Sequence, residues 1–159
     1  MCHSKDVLSD QLSANANEKS WYVPFSLSVK NLTEEEAFWK ANEENNSIAE
    51  IVQHLIYWNK TWQTRYKESR VHAVPTVRNN DSTFMISKNN TFDELHKQLL
   101  EILLYWQELL QEIQLESDVQ GIPDSKWWEI LASVTTHNAY HIGQIIYIRK
   151  MQKSWNHNY

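Results

Sequence analysis

Glycine is nearly absent. Gly121 and Gly143 are the only two in 159 residues, where average usage would give roughly eleven. A dinucleotide-binding fingerprint needs three glycines close together, and a phosphate-cradling loop needs two, so neither can be built. Three prolines and two glycines also cannot supply the tight turns of a many-stranded barrel or sandwich. The single cysteine, Cys2, excludes an intramolecular disulfide, a cysteine-rich zinc site and a CxxC redox pair. Beside the initiator Met it reads as an exposed thiol without a role. No apolar run approaches 18 residues, and the first ten residues lack the apolar core of a signal peptide. Fifteen basic against twenty acidic residues leave a net charge of −5, without the basic stripe of a nucleic-acid binder. The expectation is one cytoplasmic domain spanning residues 1–159, with neither nucleic acid nor membrane as partner.

What the chain does have is helical periodicity and tryptophan. Phe92, Leu95, Leu99, Ile102, Trp106, Leu109 and Ile113 alternate spacings of three and four, the seam of an amphipathic helix over residues 92–113. Thr91 with Glu94 forms a capping box at its start. Ser47 with Glu50 forms another, opening a helix to about Lys67 with Ile48, Ile51, Leu55, Trp58 and Trp62 inward. A third helix starts at Asp124 or Ser125, behind Pro123, and runs to about Lys153. Residues 5–31 carry Leu8, Leu12, Trp21, Phe25 and Val29 at helical spacing, with a kink at Pro24. Residues 32–46 read as a connection with a helical turn at residues 33–38, and residues 68–90 as a long polar crossover. Four apolar stripes predict an all-α, four-helix bundle. The eight Trp exceed what one small core needs, which leads us to expect a homodimer.

Of seven histidines, His3, His72, His96 and His157 read as solvated. The other three lie on apolar stripes. His137 and His141 are four apart, about 40° around one helix axis, between Val134 and Ile145. His54 lies between Ile51 and Trp58 on another helix. Buried imidazoles need partners. Two readings satisfy them: a hydrogen-bonded core cluster, or three nitrogen ligands to one divalent ion (zinc, nickel or iron) with a fourth position open. Asn138 stands where a HExxH protease carries its Glu, so that site is excluded. Ile51, Val134 and Asn138 stand three residues before the histidines, so the Glu-x-x-His pattern of di-iron bundles is absent.

The segment His137-Asn138-Ala139-Tyr140-His141-Ile142-Gly143-Gln144-Ile145 resembles the HxxYHxGQ signature of the DinB/YfiT-like superfamily of metal-binding bundles. The stretch from Ser47 to Leu55 resembles that family's first-ligand helix, and Trp21-Tyr22-Val23-Pro24-Phe25 with Asn31-Leu32-Thr33 its N-terminal pattern. The resemblance covers nearly the whole chain. It implies a four-helix bundle with one long crossover, a metal held by His54, His137 and His141, and dimers. Characterised relatives include enzymes that use low-molecular-weight thiols such as mycothiol, bacillithiol or glutathione in S-transfer or isomerisation. Position 138 is often acidic in that family and is Asn here.

Several neighbours have structural explanations of their own. Glu50 caps a helix. Gly143, about 200° round from His141, permits close approach of a neighbouring backbone. Gln144 either supports a ligand or bonds its own helix. Tyr140, Trp58, Trp62, Trp127 and Trp128 read first as core or interface aromatics. Arg149 and Lys150 complement a helix dipole. The expected activity is metal-assisted transfer of a small-molecule thiol to an electrophile. A metal-binding stress-response protein without catalysis is the alternative.

Overall fold

The computed structural model describes residues 3–155, so Cys2 and His157 lie outside the described residues. Regular structure among them is helical: α1 Ser4–Ala16, α2 Phe25–Ser28, α3 Glu34–Phe38, α4 Ile48–Lys67, α5 Phe92–Leu109, α6 Glu112–Leu115 and α7 Trp127–Met151, with 3-10 turns at Val71–Ala73 and Asn80–Phe84. Three starts follow from local chemistry. The hydroxyls of Thr33, Ser47 and Thr91 accept from the N–H three residues on. Glu36, Glu50 and Glu94 accept in return from the cap N–H at 2.7–2.9 Å. Each pair satisfies two backbone donors that a helix start otherwise leaves without partners. Glu50 also pairs with Lys40 at 2.7 Å.

The four longest helices pack on one another, α4 against α5 and α7, and α1 against the same two. Two apolar clusters form the core. One gathers Phe25, Ile48, Val52, Leu55, Leu99 and Ile145. The other gathers Leu12, Tyr66, Trp106, Trp127 and Leu131. Between them three of the four long helices turn polar. Asn15 on α1, His54 and Asn59 on α4, and Asn138 and His141 on α7 are all buried. The functional residues sit in this polar layer.

Several sequence expectations shift. The 92–113 helix stops at Leu109 and restarts at Glu112, because Leu110 is extended (φ −62°, ψ 117°). Tyr66 Oη holds the break, accepting from Gln111 N at 3.2 Å and donating to Gln111 O at 3.4 Å. Ile113 is consequently exposed, while Leu110 and Leu115 are buried. The last helix begins at Trp127 because Asp124 is left-handed (φ 56°) and Ser125 O accepts from Val119 N. Lys126 N donates to Glu129 Oε2 instead. Pro24 does not kink a continuous helix. It caps α2 after an eight-residue gap in which Trp21 is fully exposed. Gly143 is not closely approached, since a Cβ there would meet nothing within 4 Å. Arg149 does more than complement a dipole: it is buried and donates to Ser28 O, Lys30 O and Ser154 O. His3 and His96 pair with Glu112 at 2.6 Å and Asp93 at 3.3 Å. No helix among the described residues is long and apolar enough to cross a membrane.

Candidate metal centre

The i, i+4 spacing on α7 stacks His137 over His141, and packing of α4 against α7 brings His54 to them. His137 Nε2 lies 3.1 Å from His54 Nε2 and 3.1 Å from His141 Nε2. One nitrogen from each ring falls within 4.8 Å of the other two. His54 and His141 are buried, whereas His137 is half-buried at the cavity above.

The outer ring nitrogens decide what the inner ones can do. Thr83 Oγ donates to Asn80 O at 2.6 Å, so it accepts from His54 Nδ1–H, also at 2.6 Å. His141 Nδ1–H donates to Gln144 Oε1 at 2.7 Å. Both Nδ1 atoms then carry protons, and both Nε2 atoms present lone pairs inward. A proton on His137 Nε2 can serve only one of its two 3.1 Å contacts. The other contact leaves a buried Nε2 acceptor facing a nitrogen with no further proton to give. A cation removes the conflict. Nitrogens at 2.0–2.1 Å around a tetrahedral ion are spaced about 3.3–3.4 Å apart, close to the spacing found. The donor set therefore fits, and these three histidines could hold a metal ion.

Electrostatics agree. Burial, followed by the neighbouring imidazoles, pushes His54 down to about 3. Burial, then His141, pushes His137 down to about 4. Burial also lowers His141, against the opposing bond to Gln144. All three rings are neutral at pH 7, the form that ligates.

Around the cluster lies a shell of which the sequence pointed only to Gln144. Phe84 stacks on His54, with centroids 4.0 Å apart and planes 9° from parallel. Thr83 and Phe84 come from the 68–90 connection, which has no period to mark them. Gln144 supports His141 as a hydrogen-bond acceptor. On the core side, Asn138 Nδ2 donates to Asn15 Oδ1 and to Asn59 Oδ1, both at 3.2 Å. Asn59 Nδ2 donates to Asn138 Oδ1 at 2.8 Å and to Leu55 O at 2.9 Å. Trp106 Nε1 donates to Asn59 Oδ1 at 2.9 Å, and Asn15 Nδ2 to Tyr22 Oη at 2.6 Å. Four helices thus meet in one amide network directly beneath the histidines. An amide suits position 138 because it must both donate and accept.

A cavity of about 590 Å³ opens above the cluster. Trp58, Trp62 and Tyr140 line it, Trp62 packing also against the second apolar cluster, whereas Trp127 is wholly buried and Trp128 is on the surface. Among the described residues, no Asp, Glu, Lys or Arg is on its walls.

No curated protein and no solved structure matches the chain. A family model does, over residues 24–145, a span that contains all three histidines, Thr83 and Gln144. On that match the chain belongs to the DinB superfamily.

Proposed function

We propose that His54, His137 and His141 bind one divalent ion in a four-helix bundle of DinB type, with residues 68–90 as its long crossover, and that the site serves thiol transfer. One observation carries the metal-binding part of this reading. Thr83 and Gln144 take the outer Nδ1 protons of His54 and His141, which turns Nε2 lone pairs onto one point with too few protons to satisfy them. A divalent ion held there supplies a Lewis acid that favours the deprotonated form of a thiol. The chain's own part is binding and orientation. Thr83, Gln144 and the stacked Phe84 fix the rings against rotation. Trp58, Trp62 and Tyr140 wall the approach with largely apolar surface. The low proton affinity of the rings keeps them free to ligate at neutral pH.

A second reading, a metal-binding stress-response protein without catalysis, draws support from the same cavity. Among the described residues, apart from the histidines and Tyr140, its walls carry no side chain suited to moving a proton. A conjugation screen separates the two. The metal-loaded chain is incubated with bacillithiol, mycothiol or glutathione and a panel of electrophiles, with and without chelator. Chelator-sensitive consumption of thiol supports transfer. Stoichiometric metal without turnover of any pair supports the non-catalytic reading.

A further inference from the structure

The cavity above the histidines has a chemical character that metal binding does not require. Its apolar walls are Trp58, Trp62, Phe84, Ile130, Val134 and Tyr140. Its polar groups besides the histidines, those of Asn59, Asn80 and Ser133, are all uncharged. Trp58 is held in place by Nε1–H donating to Asn80 Oδ1 at 3.2 Å. Tyr140 stands at the mouth, 62% exposed, with its ring edge-on to His141 at 5.0 Å. Among the described residues, Asn80 Nδ2 and the Tyr140 hydroxyl make no bond within the protein, so both remain to orient a ligand. At about 590 Å³ the space suits a small organic molecule.

What the walls leave out is equally informative. The cation beside them is Arg65, whose guanidinium carbon lies 4.7 Å over the Trp62 ring. It is buried, donates to Val74 O at 2.9 Å and does not line the cavity. With no ion at the histidines, a sulfonate or carboxylate entering here would lose water and find no charged partner among the lining residues, an unfavourable exchange. The overall charge of −5 adds long-range repulsion for anions. The aromatic side chains among its walls instead favour contact with an uncharged ring.

We propose that the walls of this cavity bind an uncharged, flat, aromatic-sized molecule and, with no ion at the histidines, discriminate against anions of the same shape. The inference rests on the thiol-transfer reading, where it assigns the cavity to the electrophile. The carboxylate-bearing body of a low-molecular-weight thiol stays outside the aromatic walls.

Matched probes test this. Naphthalene-2-methanol and naphthalene-2-sulfonate share a ring system and differ in charge. Each is titrated into the full chain, zinc-loaded and chelator-treated, with tryptophan fluorescence as readout. The expected result is saturable binding of the neutral probe in both states, with the sulfonate at least about tenfold weaker in the chelator-treated chain. Ser133→Lys places a cation at the exposed rim. It should strengthen sulfonate binding at least about fivefold and leave the neutral probe within about twofold, with circular dichroism confirming an unchanged helix content. Equal affinity for the two probes, no binding of the neutral probe, or a Ser133→Lys variant that changes neither would overturn the proposal. Failure of the metal reading looks different: zinc would not load, while probe selectivity in the chelator-treated chain would still decide the cavity's character.

Discussion

Replacing Asn138 should show how tightly the amide network is satisfied. The side chain is fully buried and makes three bonds, two as donor and one as acceptor. In Asn138→Ala, Asn15 Oδ1 loses its donor and one Asn59 N–H loses its acceptor. Asn59 Oδ1 keeps Trp106 Nε1. Two buried polar groups left unpaired cost about 1–3 kcal/mol each, so the loss should be roughly 2–6 kcal/mol. Asn138→Asp probes the same geometry by charge. The ionised carboxylate keeps the bond from Asn59 Nδ2 but faces Asn15 Oδ1 and Asn59 Oδ1 with no proton to offer. Its pKa in the fold is therefore raised above the unfolded value of about 3.9. A raised carboxyl favours the fold at low pH and opposes it as pH rises through the folded pKa. The deficit against the parent chain should be large at pH 7.5 and shrink toward pH 4.5. Urea unfolding of the two metal-free chains at both pH values, followed by circular dichroism, measures it. If the variant is within about 0.5 kcal/mol of the parent at pH 7.5, the range of a neutral surface change, or if its deficit grows on acidification, the network is not as described.

Other outcomes follow from the site. Thr83→Val and Gln144→Leu remove the acceptors of the outer ring protons. Each should weaken zinc binding about 10- to 100-fold in competition titrations, and unchanged affinity would remove them from the site. In the metal-free chain the depressed imidazoles stay neutral in the fold, while the unfolded chain protonates below its ordinary value of about 6.5. Stability should therefore fall as pH drops from 6.5 toward 4, and His54→Gln should flatten that slope in urea titrations. A slope equal to the parent's would contradict the burial argument. Tyr140, Tyr147 and Met151 leave aromatic and apolar surface on α7. A homodimer should accordingly sediment at twice the 18.9 kDa chain mass, and a clean monomer at micromolar concentration rules it out.

The parts of this fold legible in the sequence are those set by neighbours along the chain. Capping boxes at Ser47 and Thr91 marked helix starts because both of their bonds span three residues, whereas the equivalent box at Thr33 emerged only in the structure. The His137 and His141 pair was visible because one helix turn brings them together. His54 could be nominated from its stripe, but only the packing of α4 on α7 shows that the rings meet. The misses share a cause in distant contacts. The break after Leu109 carries no glycine or proline and is held by Tyr66, 45 residues away. Thr83 reaches His54 across 29 residues. Asn15, Asn59 and Asn138 each look like an ordinary polar residue until three helices bring them together. The open space at Gly143 likewise follows from what lies opposite it, which no local pattern encodes.

Metal stoichiometry tests the central claim most directly. The full chain, stripped with chelator and titrated with zinc, should bind one equivalent. His141→Ala should bind none tightly while its far-ultraviolet circular dichroism matches the parent, since the apolar clusters hold the helices. A His141→Ala chain that still takes up one equivalent, or a parent chain that takes up none, would contradict the assignment of His54, His137 and His141 as the metal site.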